Sequence, residues 1–342
     1  MKKIGVLSGG GDSPAINAAI RAVVRKSLAL GYEVWGIKDG WRGLLEGNLE
    51  KLTLDSVSGI IFQGGTILGT SRTNPFKRED GPQKIQENVK RFQLDAIIAM
   101  GGDDTLGVAH KLNKMGIPAV GVPQTIDNDL CGTDYAIGFD SALSIVTDAI
   151  DKLHTTACSH HRVMVVEIMG RDAGWLALLS GLAGGADVIL IPEVKFNYDD
   201  ICRRIEERRQ RGKQFSIIAV AEGAAPEEIG TQVTQKATVD AFGHVRLGGI
   251  SSVIAEEIEK RTGYETRATI LGHLQRGGTP TAYDRIMATR LGVKAVELVH
   301  NGQFDMMACV KGNQIDSVPL EEAVAKVKPV DMELFETAKL FY

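Results

Sequence analysis

Acidic side chains stand directly after glycines at the end of one apolar stretch. Asp103 and Asp104 follow Gly101 and Gly102. Bare carboxylates repel phosphate, but a hard Mg²⁺ ion binds carboxylate and phosphate oxygens together. This pair therefore indicates a magnesium-assisted phosphate site, although an Asp at such a position also commonly caps a helix.

A second acidic segment follows the apolar stretch that ends at Val122. Asp127 and Asp129 alternate there, so both carboxylates face one side if the loop is extended. One carboxylate can take a proton from a hydroxyl group while the other holds metal-bound water. A local Asx turn accounts for the same residues without any chemistry, and the sequence leaves both interpretations open.

Glycine-rich turns occur three times, at residues 8–13, 64–72 and 101–105. Glycine lets backbone N–H groups approach an anion closely, and a following helix N-terminus adds a positive dipole. One such turn is weak evidence, but several of them favour a phosphate site. The GxxxxGK[ST] and GxGxxG motifs are absent from the sequence, which argues against a P-loop or a standard dinucleotide fold.

Four arginines stand beside glycines or next to predicted strands, namely Arg72, Arg171, Arg267 and Arg276. The guanidinium fork matches the oxygens of a phosphate group. A single arginine is more often part of a surface ion pair, whereas arginines in glycine-rich loops at strand ends favour contact with a ligand.

The composition excludes several classes of protein. The 342 residues predict two domains. The 39 basic and 43 acidic residues give a net charge of −4, which disfavours a nucleic-acid or anionic-membrane surface. No run of 18 apolar residues predicts a membrane span. Four widely separated cysteines, none in a CxxC pair, favour a reducing compartment, and we expect a cytoplasmic protein.

The residues named above must be positioned by alternating strands and helices. Helical patterns are found at Pro14–Leu30, Ser141–Thr156, Tyr198–Arg211, Ser252–Thr262 and Tyr283–Asn301. Strand patterns are found at Ile4–Leu7, Val34–Lys38, Ala96–Met100, Ala119–Val122, Val163–Ile168, Val188–Ile191, Ser216–Ala221, Ala268–Leu271 and Met307–Val310. This alternation predicts an α/β protein with two Rossmann-like domains, mainly parallel sheets and an active site in the cleft between them.

Local signals suggest where some elements begin. Ser13 with Pro14 predicts an N-cap and first turn, and Asp172 predicts the opening of a helix through Trp175. We expect the chain to cross between the domains near 138–140.

Together these motifs resemble the 6-phosphofructokinase family. The matching residues are Gly9-Gly10-Gly11-Asp12, Gly64-Gly65-Thr66, Ser71-Arg72, Gly101-Gly102-Asp103, Pro123, Thr125-Ile126-Asp127-Asn128-Asp129, Gly132-Thr133-Asp134, Glu167 through Arg171, Glu222, Arg267 and Leu271-Gly272-His273 through Gly278. The resemblance implies transfer of a phosphoryl group to the 1-hydroxyl of fructose 6-phosphate with Mg²⁺, in a homo-oligomer that is a dimer or a tetramer. We predict a phosphoryl-donor domain of residues 1–138 plus about 275–305, and a fructose 6-phosphate domain of 139–274 plus about 306–342.

The resemblance also implies a role for individual residues. Asp127 would be the base, with Arg72, Arg171 and Thr125 at the transferring group. Asp103 and Asp129 would hold the metal. The donor would contact Gly11, Arg72, Gly102, Asp103, Asp104, Thr105 and Gln124. The sugar phosphate would contact Thr125, Asp127, Arg162, Met169, Gly170, Arg171, Glu222, Arg267, His273 and Arg276, with Arg162 and Arg267 reaching the substrate of a neighbouring subunit.

Two residues disagree about the phosphoryl donor. Members of the family that use ATP usually carry glycine where this chain has Asp104, and a carboxylate there would repel the α-phosphate of ATP. The pyrophosphate-dependent branch usually carries lysine where this chain has Gln124. We give Asp104 more weight and expect pyrophosphate as the donor, with ATP as the alternative. A non-catalytic sugar-phosphate sensor is a distant alternative, because binding alone would need neither Asp103 nor Asp127.

The same resemblance predicts weak or absent regulation by nucleotides. Arg21, Arg25 and Lys213 could contribute to an effector site, but Leu54 and His154 occupy positions where the family has arginine.

We expect the substitution Gln124→Lys to raise turnover with pyrophosphate. A lysine would balance the additional negative charge of this donor, which a neutral amide cannot do. Steady-state rates with pyrophosphate measure the effect, and rates with ATP serve as the control. No gain with pyrophosphate would contradict this account of the donor site.

Overall fold

The computed structural model describes residues 2–228, 234–239 and 245–341. The strands are β1 (Lys3–Ser8), β2 (Glu33–Ile37), β3 (Leu49–Leu52), β4 (Ala96–Gly101), β5 (Ala119–Pro123), β6 (Val163–Ile168), β7 (Val188–Leu190), β8 (Ser216–Ala221), β9 (Thr234–Val239), β10 (Val245–Leu247), β11 (Thr266–Ile270), β12 (Met306–Lys311) and β13 (Gln314–Pro319).

Helices cover and connect these strands. They are α1 (Ile16–Ala29), α2 (Trp41–Glu46), α3 (Gly81–Phe92), α4 (Asp103–Lys114), α5 (Phe139–His160), α6 (Trp175–Ala183), α7 (Tyr198–Gln210), α8 (Ile250–Thr262), α9 (Ala282–His300), α10 (Leu320–Ala323) and α11 (Met332–Ala338). Within the described ranges, none of them has both the length and the apolar character needed to cross a membrane.

The strands form two main sheets. The first has the order β13-β12-β5-β4-β1-β2-β3, and only its two edge strands are antiparallel to their neighbours. The second has the order β11-β6-β8-β7 and is parallel throughout. Strands β9 and β10 form a separate antiparallel pair. The prediction of an α/β fold with mainly parallel sheets is confirmed.

The central strands are apolar because helices cover both faces of each sheet. Every residue of β4, β5, β6 and β8 is buried. The nine predicted strands are present, with bounds that differ by no more than two residues. The edge strands β3 and β13 were not predicted, because both contain exposed polar residues rather than a continuous apolar run.

The predicted placement of residues 306–319 in the second domain is wrong. Strand β12 pairs with β5, so that Met306 lies opposite Val120, and β13 extends the same edge. The preceding helix α9 packs against α1 on the first sheet and returns the chain to that edge. Helix α11, in contrast, contacts α6 beside the second sheet.

Two predicted helix starts are also wrong. Helix α1 begins at Ile16, and the hydroxyl of Ser13 donates instead to the carbonyl oxygen of Ile137 at 3.3 Å. Helix α6 begins at Trp175 rather than at Asp172. The N–H of Gly174, which precedes α6, donates to the carboxylate of Glu193 at 3.0 Å. The hydroxyl of Ser13 and the N–H of Gly174 thus take part in tertiary contacts rather than in the predicted local caps.

The chain passes from the first sheet to the second through α5. Gly138 precedes this helix with a φ of 99°, a conformation that favours glycine. The buried carboxylate of Asp284, on α9, accepts hydrogen bonds from the N–H groups of Gly138 and Ser141, both at 2.8 Å, and from the hydroxyl of Tyr135. Asp284 therefore supplies from another helix the acceptor that the N-terminus of α5 lacks locally.

We expect Gly292→Ala to destabilise the fold by about 1–3 kcal/mol, because overpacking a close helix contact forces the backbone apart. Gly292 lies on α9, and an added Cβ would stand 2.8 Å from the carbonyl oxygen of Ala19 on α1. Denaturant unfolding followed by circular dichroism measures the change.

The matched control is Gly107→Ala in α4, where an added Cβ meets no atom within 4 Å. Replacing an unhindered helical glycine should stabilise the protein by about 0.5–1 kcal/mol. Equal gains for the two variants would show that the contact between α1 and α9 tolerates a methyl group.

Candidate active site

A cleft lies where the carboxyl ends of strands from both sheets meet. The space between its walls, counted out to open solvent, is about 530 Å³. Loops after β1, β4 and β5 form one wall, and loops after β6 and β11 contribute to the other. The lining residues are Gly10, Gly11, Asp12, Arg72, Gly102, Asp103, Asp104, Thr105, Gln124, Thr125, Ile126, Asp127, Asp129, Arg171 and Arg276.

Most residues predicted for the site therefore surround one cleft. All those predicted at the donor or the metal line it, as do Thr125, Asp127, Arg171 and Arg276. The other predicted sugar-phosphate residues, which are Arg162, Met169, Gly170, Glu222, Arg267 and His273, do not line it. The individual roles of all these residues stay predictions.

The opposite wall of the cleft reaches Gly11 through the side chain of Arg276. A Cβ on Gly11 would stand 2.2 Å from Nη1 of Arg276, which follows β11 in the second sheet. The turn after β1 and this arginine thus meet across the cleft. The contact brings a cationic group next to the backbone of a glycine-rich turn, as binding of a phosphate requires.

The turn that carries Asp127 is fixed by its neighbours. Asn128, with a φ of 53°, accepts the N–H of Ala136 at 3.0 Å and donates to the carbonyl of Asp134 at 3.2 Å. The N–H of Asp127 donates to the hydroxyl of Thr125 at 3.1 Å. Oδ1 of Asp127 is buried and has no hydrogen-bond partner among the described residues. A buried oxygen of this kind fits a donor that arrives with the substrate, such as a hydroxyl group.

Burial and like charges shift the acidity of the two aspartates. Burial raises the pKa of Asp127, and the guanidinium groups of Arg276 and Arg171 oppose that rise. Burial, together with the carboxylates of Asp127 and Asp103, raises the pKa of Asp129 to about 8. Any cation bound between these oxygens would favour their charged forms. The donor set is therefore chemically suited to a hard metal ion.

The described residues contain no group of three or more His, Cys, Asp or Glu side chains placed to hold a metal ion. Mg²⁺ does not need such a cage, because it is commonly bound by one or two carboxylates together with phosphate oxygens of the substrate. The pair Asp103 and Asp129 in this cleft fits that mode.

Arg171 is held at the cleft by strained backbone and a partly buried carboxylate. Gly170 has a φ of 148° and Arg171 a φ of 51°. Oε1 of Glu222, which follows β8, accepts the N–H of Arg171 at 3.2 Å and the N–H of Gly170 at 3.4 Å. Burial raises the pKa of Glu222. Glu222 thus fixes the loop that carries Arg171.

Gln124 connects two of the glycine-rich turns. Its Nε2 donates to the carbonyl oxygen of Gly11 at 3.1 Å, and its backbone N–H donates to the carbonyl of Gly101 at the same distance. The side chain is 1% exposed, and its Oε1 has no hydrogen-bond partner within the described part of the chain. The amide therefore contributes to holding the donor wall as well as lining it.

Three predicted residues lie on the surface away from the cleft. Arg162 and Arg267 both pair with Oε1 of Glu265, at 2.7 and 2.6 Å. The side chain of Arg267 is half exposed, and His273 is exposed on the short 3₁₀ segment after β11. Within one copy of the chain these three side chains do not line the cleft. The role of Arg162 and Arg267 across a subunit interface and the role of His273 at the sugar phosphate stay predictions.

Sequence reasoning missed residues that support the cleft from a distance. Gln275 is fully buried, and its Oε1 accepts the N–H of Met169 at 3.1 Å. Lys328 donates from Nζ to the carbonyl of Thr133 at 2.8 Å, across 195 positions of the chain. Burial lowers the pKa of Lys328 to about 8, an effect that Asp129 opposes. Gln275 lies within the motif from Leu271 to Gly278, but neither that motif nor the sequence around Lys328 indicates these partners, since they are distant in sequence.

The chain belongs to the phosphofructokinase family, whose model matches residues 3–299. A pyrophosphate–fructose 6-phosphate 1-phosphotransferase of Streptomyces coelicolor is 53% identical over 342 residues, covering 99% of each chain. An ATP-dependent 6-phosphofructokinase of Corynebacterium efficiens is 49% identical, again over 99% of each chain. The crystal structure of Pichia pastoris phosphofructokinase in the T-state superposes with a TM-score of 0.85 and 35% identity; the match covers 95% of this chain and about a third, 35%, of the Pichia chain.

We expect Gly11→Ala to weaken the binding of pyrophosphate at least tenfold. The added methyl group would displace the guanidinium of Arg276 and block the backbone of the turn. Isothermal titration calorimetry with pyrophosphate measures the affinity.

Gly107→Ala is again the matched control, and it should bind pyrophosphate like the wild type. Unchanged affinity in Gly11→Ala would mean that the anion does not approach this turn.

Proposed function

We propose that this protein transfers a phosphoryl group from pyrophosphate to the 1-hydroxyl of fructose 6-phosphate, with Mg²⁺, to give fructose 1,6-bisphosphate and phosphate. The observation that carries the proposal is the buried, unpartnered oxygen of Asp127 in a cleft that also holds Arg171 and Arg276. The names of the relatives, at 53% and 49% identity, support the same reaction class.

Each residue at the reacting groups has a separate role in the proposed reaction. Asp127 takes the proton of the 1-hydroxyl, and the resulting oxygen attacks the terminal phosphorus of the donor. The bond from that phosphorus to the bridging oxygen breaks, and the departing phosphate keeps the electron pair. Arg72 and Arg171 stabilise the charge on the transferring group, while the cleft aligns donor and acceptor.

Asp103 and Asp129 would hold the metal ion. When bound, Mg²⁺ neutralises part of the negative charge on the phosphates. Asp103 stands in the first turn of α4 and Asp129 in the turn after Asp127, so the two carboxylates come from the loops of neighbouring strands. The presence of Asp103 and Asp127 argues against a sensor that only binds a sugar phosphate, because binding alone would need neither residue.

The choice of pyrophosphate rests on Asp104. This residue lines the cleft from the first turn of α4, where a phosphate chain approaching the helix N-terminus would meet its carboxylate. Pyrophosphate is shorter than the triphosphate of ATP and needs less of that space. The specific observation that favours ATP as an alternative is the neutral amide of Gln124 at the same cleft.

The surface arginines support a homo-oligomer. Arg267 lies on the edge strand β11, near the exposed side chains of Ile270 and Leu274, which are 49% and 72% exposed. We propose that Arg162 and Arg267 complete the sugar-phosphate site of a neighbouring subunit in a dimer or tetramer. A cytoplasmic location also remains part of this proposal.

The proposed reaction and its donor are tested by measuring how fast fructose 6-phosphate and Mg²⁺ give fructose 1,6-bisphosphate. Pyrophosphate and ATP are supplied as donors in parallel assays. We expect turnover with pyrophosphate and little with ATP, and no turnover when the metal is chelated. Turnover with ATP alone would mean that Asp104 does not decide the donor.

Asp127→Asn tests the base, and we expect kcat to fall by about 10²–10⁴-fold, the usual contribution of a positioned general base. Asp151→Asn, at an exposed position of α5, is the control and should keep full turnover. Full turnover of Asp127→Asn would remove Asp127 from this role.

A further inference from the structure

A segment near the C-terminus passes from the first sheet to the second. This crossing segment, residues 326–330, connects α10 on the first sheet with α11 beside the second. It belongs to none of the motifs discussed above. Its central residue, Lys328, is only partly exposed although it lies outside any helix or strand.

The crossing segment is bound to the loop that carries Asp129. The N–H of Lys328 donates to the carbonyl oxygen of Asp129 at 2.7 Å, and Nζ of Lys328 donates to the carbonyl of Thr133 at 2.8 Å. Leu130 and Val327 form an isolated antiparallel bridge beside these bonds. These contacts hold the backbone of the loop from Asp129 to Thr133.

The same segment is bound to the wall that carries Arg171. Nε1 of Trp175 donates to the carbonyl oxygen of Lys328 at 3.0 Å, and Nζ of Lys328 lies 5.1 Å from the centre of that indole ring. Oε1 of Glu193 accepts the N–H of Gly174 at 3.0 Å and the N–H of Val330 at 3.1 Å. Gly174 and Trp175 directly follow the loop of Arg171, and α6 begins at Trp175.

Lys328 therefore contacts both walls. Its N–H and Nζ donate to the loop from Asp129 to Thr133, its carbonyl oxygen accepts the Nε1–H of Trp175, and the same Nζ also lies over the indole ring. Phosphoryl transfer depends on the distance between groups on these two walls, since the base and one metal carboxylate lie on one and Arg171 on the other. Misplacement by about 1 Å is enough to cost roughly 10²-fold in rate.

We propose that Lys328 is a positioning residue that sets the loop of Asp129 against the loop of Arg171 for the chemical step. This inference rests on the proposed function. Lys328 does not line the cleft, so its loss should affect alignment in the transition state more than the binding of either substrate.

The test compares Lys328→Met with Lys339→Met. Lys339 is a matched control because it lies on the same C-terminal part of the chain, with Nζ 4.6 Å from the ring centre of Phe335, and pairs with Glu336 away from the active-site cleft. We expect kcat of Lys328→Met to fall at least tenfold with KM for fructose 6-phosphate within threefold, while Lys339→Met keeps both parameters. Lys328→Arg, which keeps the positive charge, should recover part of kcat.

Hydrogen–deuterium exchange of the unliganded proteins supplies a readout independent of activity. Exchange should become faster in residues 125–137 and 169–175 of Lys328→Met and stay unchanged in β7 and β8. If Lys328→Met does not fold, Trp175→Phe keeps the ring and removes one hydrogen bond, and it should show the same pattern with a smaller loss of kcat.

Wild-type kcat in Lys328→Met, or equal losses in Lys339→Met, would overturn the inference, as would unchanged exchange in both loops. A wild-type protein without phosphoryl transfer would instead contradict the proposed function, and the exchange measurement would still decide whether Lys328 holds the two loops together.

Discussion

Two carboxylates, buried Asp127 and partly buried Asp129, lie at the junction of two sheets, and the rest of the site depends on compensating their charge. A carboxylate loses its hydration when it is buried, so its charged form needs compensation from nearby cations or hydrogen-bond donors. Burial raises the pKa of Asp127, and Arg276 and Arg171, which both come from the opposite wall of the cleft, oppose that rise. Residues of the second wall therefore influence the charge state of a carboxylate on the first wall, so the electrostatics of the site depends on both sheets.

Hydrogen bonds from polar side chains fix the backbone of the loops that carry Asp127, Asp129 and Arg171. Asn128 fixes the turn between the two aspartates, and the adjoining segment up to Gly138 is fixed by the buried carboxylate of Asp284. Glu222 holds the strained loop of Arg171 in the same manner. In each case a buried or partly buried polar side chain forms hydrogen bonds with backbone groups and so fixes the conformation of a loop at the cleft.

Close contact across the cleft also limits which residues can line it. Gly11 meets Arg276, and a Cβ on Gly64 would stand 2.2 Å from the carbonyl oxygen of Gly278. These two glycines of the first sheet's loops therefore lie against residues that follow β11 in the second sheet. Close packing across the cleft adds to the freedom of backbone N–H groups to approach a phosphate as a reason for glycine at these two positions.

Patterns among residues close in sequence determined the fold class and brought several site residues to one edge of a sheet. The apolar runs that become buried parallel strands fix the α/β class, and loops at the carboxyl ends of such strands must share one edge of a sheet. That rule brings Gly11, Asp103 and Asp127 together, because their strands are neighbours in the first sheet.

Only the tertiary structure decided which distant residues complete the site. Strand β12 joined the first sheet because the helix before it packs on α1, a contact between segments more than 250 positions apart that no local pattern encodes. Gln275, Asp284 and Lys328 act through backbone groups far along the chain, so their neighbours in sequence carry no sign of their partners. Local propensity and spacing are read from short segments, whereas these contacts depend on how the two sheets pack.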